Sequence, residues 1–439
     1  MAQFFEPGTV LKSIHGNDIL IEKLLAQIGR GAIYQVTVNG EDKAFKWCTS
    51  SPSDNDFYSF WIRTKEKVER GIPCKSIIWP EDITDLSNDG FGYVMQLIPE
   101  GYHDFYDFIS KKVRFSSFRS IIDTAINLVN TFQIMHCSGY CYYAHNGDFW
   151  VNPNTGKLII ANPEYVVPDG IHLNVLGHPR YMSPEVVLGI GTGGVANDRY
   201  VMGVYLFMLF CLSHPLEGRR FLVPALTPEQ QKKLYGSQPL FMMDPNDISN
   251  GPHPLIHKDV ITIWNDFPKY MRQLFLAAFS KDAILNPSTR LKERDWLKSL
   301  IRFRSEVIRC SCGNELFYEA GQTCQCNNCH QVVDFPLQLK FGEYCIPANK
   351  GTTIFRCQFG ACDPFYMLDP IAYIVEKKDS PGVLGIRNMT DQVWDASTTK
   401  GMARNVSPRE VVPLKSGITI NLLGTQLIIS EENPLIQSE

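Results

Sequence analysis

The chain has 439 residues, which is enough for two or three domains with separate hydrophobic cores. Its formal net charge of −4 argues against nucleic acid or a membrane surface as a partner. The N-terminus lacks a basic segment leading into an apolar one, so we expect no signal peptide and a cytoplasmic protein. The most apolar run, residues 201–212, is too short to span a bilayer and predicts a buried helix.

Strand patterns dominate the first hundred residues. Asn39-Gly40 is a strong signal for a type I′ hairpin turn between two of these strands. Residues 56–70 have helical spacing and stop at Gly71, and residues 76–80 and 91–99 are two further strand candidates. Helical patterns take over from about residue 104. We therefore predict an α+β region with a strand-rich part at about 1–100 and a helical part at about 101–300.

A partial glycine pattern lies in the first predicted hairpin. Gly29 and Gly31 match the first two glycines of a protein-kinase glycine-rich loop, where backbone N–H groups approach phosphate oxygens. Tyr34 stands at the third glycine position and would add bulk at the mouth of the loop. Lys46 follows at hairpin distance and matches the phosphate-contacting lysine. A plain β-turn and a solvated lysine are the simpler alternatives.

That lysine normally pairs with a glutamate of the next helix. The predicted helix offers Glu66 and Glu69, and both lie late in it. Neither is a match by position, so Lys46 is expected to lack its usual orienting partner.

Residues 139–166 have the rhythm of a kinase catalytic loop, but the chemistry-bearing positions differ. The hydrophobic triplet 149–151 fixes the alignment, because such a triplet directly follows the metal-binding Asn of kinases. Asp148 therefore replaces that Asn. Tyr143 replaces the catalytic Asp, and Asn162 replaces the Asp that holds Mg²⁺.

These replacements predict a loss of phosphoryl transfer by several orders of magnitude. A tyrosine with a pKa near 10 cannot act as a carboxylate base at neutral pH. A neutral Asn is a poorer Mg²⁺ ligand than Asp. The alternative is a rewired enzyme, in which Asp148 and Glu164 supply carboxylates and His145 supplies a base. An ordinary loop histidine is the simpler interpretation of His145.

The scaffold of the helical part is better preserved than its chemistry. Residues 183–185, Ser-Pro-Glu, stand where kinases have Ala-Pro-Glu, and Arg290 matches the arginine that pairs with the glutamate of this motif, here Glu185. Asp198 matches a buried aspartate that tethers the catalytic loop, although an N-cap is its simpler role. Residues 214–218, His-Pro-Leu-Glu-Gly, follow the apolar helix.

Five of the thirteen cysteines fall within residues 310–329. Such clustering in an unsecreted chain favours metal over disulfides. Four thiolates complete a closed, structural Zn²⁺ site, so residues 301–336 predict a zinc ribbon. The expected ligands are Cys310, Cys312, Cys326 and Cys329, with Cys324 and His330 as possible substitutes.

Residues 337–439 alternate short β-type runs with turn residues, which predicts a small all-β sandwich. Its late strands and turns resemble a forkhead-associated domain. A phosphothreonine-binding member would need an Arg–Ser pair and the asparagine at Asn388. No convincing pair is present, and Arg356 and Arg387 fit surface positions. We therefore favour an interaction or structural module over a phosphopeptide-binding one.

Taken together, these motifs resemble a family of bacterial protein-kinase-like proteins that carry a C-terminal zinc ribbon and a forkhead-associated-like domain. The resemblance covers essentially the whole chain. It implies a bilobal kinase-like fold over residues 1–300, followed by the ribbon at 301–336 and the sandwich at 337–439. Such proteins are often encoded beside a von Willebrand A-type protein and a metal-dependent protein phosphatase, which are the partners that the resemblance implies.

The expected function is that of a catalytically impaired kinase homologue, a pseudokinase, acting as a regulatory or scaffolding subunit in phospho-signalling. Structural zinc is the expected cofactor. Gly29, Gly31 and Lys46 are expected to give weak nucleotide contact at best, with little help from Mg²⁺. An active enzyme with a rewired site, either a weak Ser/Thr kinase or another nucleotide transferase, is the alternative.

Overall fold

The protein is described from a computed structural model over residues 5–29, 31–49, 56–173, 175, 177–317, 325–333, 337–360, 362–398 and 401–431. It is a mixed α+β protein with several antiparallel sheets. The chain forms two compact units, Met1–Phe115 with Asn127–Glu293, and Ser116–Ile126 with Arg294–Glu439. The boundaries expected near residues 300 and 336 stay predictions. In these ranges, no helix is both long and apolar enough to cross a membrane.

The first unit opens with a six-stranded antiparallel sheet in the order β1-β2-β3-β4-β6-β5. Its strands are β1 (Val10–Lys12), β2 (Asp18–Ile28), β3 (Gly31–Val38), β4 (Glu41–Thr49), β5 (Pro80–Ile83) and β6 (Gly90–Met95). Asn39 and Gly40, at φ 52° and 80°, form the predicted turn between β3 and β4. The strand predicted at 76–80 begins only at Pro80, because Ile78 bonds instead to the backbone of Ile160.

The two faces of this sheet have different neighbours, and strand alternation decides which side chain meets which. Tyr34 and Phe45 belong to one buried cluster, whereas Ala44 and Tyr93 belong to a second cluster on the opposite face. The helix α1 (Phe57–Arg70) packs its aromatic side chains into the second cluster. The expectation that Tyr34 adds bulk at the mouth of the first hairpin is wrong, because its ring is fully buried in the first cluster.

Helices and short strands form the rest of the first unit. The strands are β7 (His103–Asp104), β8 (Tyr140–Tyr142), β9 (Phe149–Val151), β10 (Leu158–Ile160) and β11 (Val166–Pro168). The helices are α2 (Phe105–Ile109), α3 (Phe118–Cys137), α4 (Pro184–Val187), α5 (Val195–Cys211), α6 (Pro228–Gln231) with a π-helical continuation Lys232–Ser237, α7 (Lys258–Asp266), α8 (Lys269–Ala278) and α9 (Lys281–Leu285). α5 is buried along nearly its whole length, as its apolar sequence predicts.

The second unit combines the helix α10 (Glu293–Ser305, from Arg294 onward) with residues 116–126, which include the first turns of α3, a cysteine-rich hairpin and a β-sandwich. The hairpin strands are β12 (Val307–Arg309) and β13 (Glu315–Phe317). The sandwich strands are β14 (Gln338–Phe341), β15 (Tyr344–Pro347), β16 (Thr353–Phe355), β17 (Pro370–Glu376), β18 (Leu384–Asn388), β19 (Trp394–Ser397), β20 (Ala403–Val406), β21 (Val411–Pro413), β22 (Thr419–Leu422) and β23 (Thr425–Ser430).

The sandwich has two antiparallel sheets that share one hydrophobic core. One sheet runs β15-β14-β23-β22-β19-β20 and the other runs β16-β17-β18-β21. Leu339 and Ile420 from the first sheet join Ile374 and Ile386 from the second in this core, all at 0% exposure. The alternating apolar and polar residues that predict an all-β module therefore point in turn into this core and into solvent.

Candidate functional site

Lys46 lies on the α1 side of the first sheet, directly across from Tyr93 on the neighbouring strand. Side chains of such cross-strand partners point to the same face and reach a common neighbour. That neighbour is the Glu164 carboxylate. The Lys46 ammonium donates to Glu164 Oε1 in a close contact, and the Tyr93 hydroxyl donates to Oε2 at 3.1 Å. The lysine that the sequence assigns to phosphate is thus engaged by a carboxylate of the protein itself.

The electrostatics of this pair follow from its burial. The Lys46 side chain is 10% exposed and that of Glu164 is 14% exposed. Burial raises the pKa of the Glu164 carboxyl, but the charge and hydrogen bond of Lys46 outweigh that effect and hold it below its usual value. Burial likewise lowers the pKa of Lys46, and the opposing charge of Glu164 more than compensates. Both groups are therefore charged at neutral pH, as an ion pair.

A short loop after β10 delivers Glu164 to the sheet. Asn162 adopts a left-handed conformation at φ 57°, which Asn tolerates better than most residues. A 3₁₀ turn, Pro163–Tyr165, follows at once and aims Glu164 at Lys46. The Asn162 side chain also accepts from the Lys46 ammonium at 3.4 Å. The residue at the expected Mg²⁺ position is therefore a hydrogen-bond partner of Lys46.

Lys67 is a second buried lysine, and sequence reasoning missed it. It is 5% exposed, and its ammonium donates to the carbonyl oxygen of Pro163 at 2.7 Å. Burial lowers the pKa of Lys67 to about 7, although the charge of Glu164 acts in the opposite direction. The helical spacing of Phe60 and Thr64 places Lys67 on the inward stripe of α1, which is the signal that could have found it.

Glu66 and Glu69, the two glutamates considered for Lys46, lie on the exposed side of α1. Glu66 instead sits 3.9 Å from Arg70 on the same helix. The carboxylate that Lys46 needs comes from a loop 118 residues away in sequence.

Asp148 is a second carboxylate near the Lys46–Glu164 pair. It is half-buried, and it accepts a hydrogen bond from the Tyr142 hydroxyl at 3.2 Å. Burial raises the pKa of this carboxyl, and the nearby charge of Glu164 adds to the rise. Within the ranges given above, the ligand atoms of Asp148 and Glu164 belong to no group of three close enough to hold a metal ion.

Tyr143 packs against the backbone of Gly193. A Cβ atom added at Gly193 would lie 2.8 Å from Cδ2 of the Tyr143 ring. The backbone N–H of Tyr143 donates to the Tyr165 carbonyl at 2.8 Å. The position expected for a catalytic base therefore carries a ring that fills space beside a glycine.

Gly29 and Gly31 flank the tight connection between β2 and β3, with Gly29 at φ 53°. The strands pair up to Ile28 and Gly31. Gly29 thus lies where the sequence predicts a turn, and Gly31 is the first residue of β3. Whether they contact a nucleotide stays a prediction.

Asp198 ties the 140–145 segment to α5. It is fully buried, and it accepts from the backbone N–H of Tyr142 at 2.8 Å. His145 and His136 approach its two carboxylate oxygens at 2.6 Å and 3.0 Å. The predicted tethering role is confirmed, and the N-cap of α5 is Gly194 instead. His145 is therefore buried and anchored to Asp198, and its role as the base of a rewired site stays a prediction.

Two more ion pairs, both partly buried, fix the segment around residues 178–185. The Arg290 guanidinium donates to both Glu185 oxygens at 2.8 Å each, which confirms the pair predicted from the sequence. Arg180 donates to the Glu217 carboxylate in the same forked geometry, at 2.6 Å and 2.9 Å. His214 contacts the Arg180 carbonyl through Nε2 at 2.9 Å and accepts from Leu216 N–H through Nδ1. Burial lowers the pKa of His214 to about 4, so this histidine is neutral near pH 7.

The four predicted cysteines converge at one point in the second unit. Their sulfur atoms all lie within 4.8 Å of one another, with Cys310 and Cys329 at 3.5 Å and Cys312 and Cys326 at 3.6 Å. Thiolates bound at ~2.3 Å around a tetrahedral Zn²⁺ lie about 3.8 Å apart, so the donor set fits that ion. The turn after β12 supplies the first two cysteines, and the Cys326–Cys329 knuckle supplies the others.

The two alternative ligands have different outcomes. His330 is not part of the group of four. Its backbone N–H donates to the Cys326 carbonyl at 2.8 Å, so it closes the second knuckle. Cys324 lies outside the described residues.

Asn388 is a structural residue of the sandwich. It is fully buried, it donates to the carbonyls of Gln392 and Val406, and it accepts from the N–H and hydroxyl of Thr390. An amide with both its oxygen and its nitrogen occupied in this way is not offered to a ligand. Arg387 is exposed, as predicted.

Arg356, which was expected at the surface, lines an open cavity of about 540 Å³. The other lining residues are Cys362, Asp363, Tyr366 and Asp369. The Arg356 Nε lies 4.0 Å from Asp369 Oδ2. The two carboxylates beside a single arginine make this cavity a poor phosphate site.

No protein-family model matches this chain, and no curated protein matches its sequence.

Proposed function

We propose that the protein is a catalytically impaired kinase homologue with a regulatory or scaffolding role. The observation that carries the proposal is the buried Lys46–Glu164 ion pair. In an active kinase the equivalent lysine is free to orient phosphates and is held by a glutamate of the neighbouring helix. Here Lys46 has a carboxylate bound to it from the loop where a kinase presents its Mg²⁺ ligand.

Several contacts support a kinase-like scaffold behind this pair. An antiparallel sheet carries Lys46 and packs against α1, and a helical region follows in sequence. Asp198 anchors the predicted catalytic loop through the Tyr142 N–H. The Glu185–Arg290 fork joins the two positions that the resemblance pairs. These contacts stabilise the fold and take no part in catalysis. They therefore support a protein that keeps a kinase-like fold without kinase activity.

The chemical positions support impairment. Tyr143 packs against Gly193 and offers no carboxylate to a substrate hydroxyl. Asn162 bonds to Lys46, and Asp148 is held by Tyr142 with a raised pKa. General-base and metal functions therefore lack their usual groups.

The second unit supports an interaction role. A closed four-cysteine site is suited to structural Zn²⁺, and the sandwich keeps Asn388 for its own fold. We propose that this unit is a zinc-stabilised, forkhead-associated-like interaction module. By the family resemblance, its partners would be a von Willebrand A-type protein and a metal-dependent protein phosphatase.

The deciding experiment measures phosphate transfer and nucleotide binding by the full chain. We expect no γ-phosphate transfer from ATP above that of Lys46→Met. By calorimetry we expect ATP to bind weakly at best, on the order of −5 to −6 kcal/mol, without gain from Mg²⁺. Lys65→Met serves as the matched control, because it makes the same change in α1 at a residue that belongs to none of the predicted catalytic motifs. Transfer that is present in the wild type and lost only in Lys46→Met would establish the rewired enzyme instead.

A further inference from the structure

Two loops of the first unit expose large aliphatic side chains to solvent. One follows α5 over residues 218–225, and the other covers residues 248–257 and leads into α7. Leu255 and Ile248 are 85% and 76% exposed. Single exposed aliphatic side chains are ordinary, but neighbouring groups of them mark binding surfaces. The exposed aliphatic residues of these loops, called the apolar patch below, are Leu222, Val223, Ile248, Leu255 and Ile256.

Backbone contacts hold the two loops side by side. The backbone N–H of Arg219 donates to the Gly251 carbonyl at 3.2 Å. The next N–H, that of Arg220, donates to the side-chain oxygen of Asn250 at 3.1 Å. Gly218 lies so close to the Asn250 carbonyl that a Cβ atom added to the glycine would be 1.7 Å from the oxygen. The two halves of the apolar patch therefore lie on one surface.

Buried polar groups fix the shape of the second loop. The Asn250 amide is buried and donates to the carbonyls of Leu216 and Leu240 at 2.8 Å and 2.7 Å. The buried ring of His257 accepts from the backbone N–H of His253 at 2.9 Å through Nδ1. The backbone N–H of His257 donates in return to the His253 carbonyl at 2.8 Å. A surface whose shape is fixed in this way loses little conformational entropy on binding.

Three cations adjoin the apolar patch in sequence. Arg219 and Lys258 are exposed, and neither has an ion pair in the part of the chain that the structure describes. The Arg220 guanidinium donates to the neutral side chain of Gln238 at 3.4 Å. These positive charges are therefore available to a partner.

Two carboxylates adjoin the patch as well, and one of them is already occupied. The Asp259 carboxylate is in close contact with the Lys111 ammonium. Asp247 accepts from the backbone N–H of Ser249 at 2.9 Å, which fixes its carboxylate next to Ile248. One free carboxylate thus opposes three cations, and the border of the patch has an excess of positive charge.

We propose that the apolar patch is a docking surface for an acidic amphipathic segment of another protein. The apolar side chains of that segment cover the patch, and its carboxylates meet Arg219, Arg220 and Lys258. The patch is complementary to such a segment in both polarity and charge. The proposal goes beyond the proposed function and holds whether or not the protein transfers phosphate.

Two other occupants fit the charges less well. In a symmetric dimer a two-fold axis lays the patch on its own copy, so each of the three cations approaches cations of the same kind. In a membrane surface the Asp247 carboxylate beside Ile248 would enter a layer of anionic headgroups, which repel it. An acidic protein segment avoids the first conflict, and it leaves Asp247 at the solvated rim.

The test begins with the selection of phage-displayed random dodecapeptides on the full chain. We expect enriched peptides to combine Leu, Ile, Phe or Trp with an excess of Asp and Glu. The double variant Leu255→Ser with Ile248→Ser should not enrich them. A synthetic copy of the most enriched peptide is then titrated by fluorescence anisotropy. The double variant should bind it about tenfold more weakly or worse, because two apolar side chains are no longer buried.

Further variants separate the apolar from the charged contribution. Arg219→Gln should weaken peptide binding by about threefold and reduce its dependence on salt, since the pair that it removes is screened by ions. Val10→Ser and Lys75→Gln make comparable changes at exposed positions outside the two loops and should bind like the wild type. All of these side chains are solvent-exposed, and unchanged thermal unfolding verifies that the variants are folded.

Three outcomes would overturn the proposal. The first is that no peptide depends on Leu255 and Ile248 for enrichment, and the second is that the enriched peptides are rich in Lys and Arg. The third is that the double variant abolishes a dimer in sedimentation velocity, or cosedimentation with vesicles of equal parts phosphatidylcholine and phosphatidylserine. That result would assign the patch to a second copy or to a lipid surface. Peptide binding is measured without nucleotide or metal, so its failure is distinct from a failure of the proposed function.

Discussion

At the scale of single residues, buried polar groups in the first unit act as anchors. Arg290 shows this most clearly, since it donates to Glu185 and also to the carbonyls of Ala196, Ala283 and Ile284. An arginine placed in this way joins three segments of chain through one planar group.

Replacing Arg290 should lower the stability of the protein. We expect Arg290→Met to lower the free energy of unfolding by about 3 kcal/mol, because it leaves the half-buried Glu185 carboxylate without its cationic partner. Urea denaturation followed by circular dichroism measures the change. Arg294→Met, whose side chain is 74% exposed, is the matched control and should change stability by less than about 0.5 kcal/mol. Equal losses in the two variants would contradict the anchoring role.

Residue pairs differ in how far the sequence predicts them. Glu185 and Arg290 stand in recognisable motifs, so their pairing could be predicted although they are 105 residues apart. Lys46 and Glu164 could not be paired in advance, because Glu164 sits at a position where no carboxylate was expected. The position of Tyr34 differs from the loop-based prediction because the alternation of β3 turns its ring into the core.

At the scale of elements, local signals predict several of the described helices and turns. Gly71 ends α1 at φ 76°, and the apolar run at 201–212 lies in the buried helix α5. The strand at 76–80 was displaced because its backbone groups pair with Ile160, a long-range contact that no local pattern records. The local sequence decides whether a segment becomes a helix or a strand. Hydrogen bonds to distant parts of the chain decide where some of these elements begin or end.

The cysteine hairpin gives a prediction at this scale. We expect one equivalent of Zn²⁺ per chain in the purified protein, since the four sulfur atoms lie within 4.8 Å of one another. Cys326→Ser should lose most of that metal and lower the stability of the second unit, because metal binding and folding are coupled in such small segments. Elemental analysis and thermal unfolding test both parts.

The control for this experiment is Cys345→Ser, which removes an exposed cysteine of β15 away from the cluster. It should keep the full metal content. Retention of zinc in Cys326→Ser would show that the ligand assignment is wrong, and Cys324 would then be the next residue to replace.

At the scale of the whole molecule, two buried groups bind protons with opposite effects on stability. Burial lowers the pKa of Lys67 from 10.5 to about 7, against the charge of Glu164 and with the help of Arg63. Burial also lowers the pKa of His136, but its hydrogen bonds to Asp198 and Glu293 outweigh burial and raise it from 6.5 to about 9.

The signs follow from proton linkage. Above pH 7 the unfolded chain holds the Lys67 proton and the folded chain does not, so this lysine makes stability rise with pH up to 10.5. For His136 the folded chain holds the extra proton between pH 6.5 and 9, so its stabilisation is complete below 6.5 and is lost through 9. Between pH 7 and 9 the two slopes oppose each other.

Lys67→Met should leave the contribution of His136 to the pH dependence of stability without the opposing contribution of Lys67. We expect the variant's stability, relative to the wild type, to fall by up to about 1.4 kcal/mol per pH unit between pH 7 and 9. Urea unfolding at several pH values measures the difference. Lys65→Met, a half-buried lysine of the same helix, should keep the wild-type profile. A parallel profile for Lys67→Met would mean that Lys67 keeps its proton in the folded protein.

The separation of 118 residues between Lys46 and Glu164 also has a consequence for the order of events during synthesis. At ~5–20 residues per second, Glu164 leaves the ribosome roughly 6–24 s after Lys46. The strands β1 to β6 are all synthesised before it, so the sheet can form while Lys46 still faces water. The ion pair can therefore form only after all six strands have been synthesised, and until then the Glu164 carboxylate is not available to this lysine.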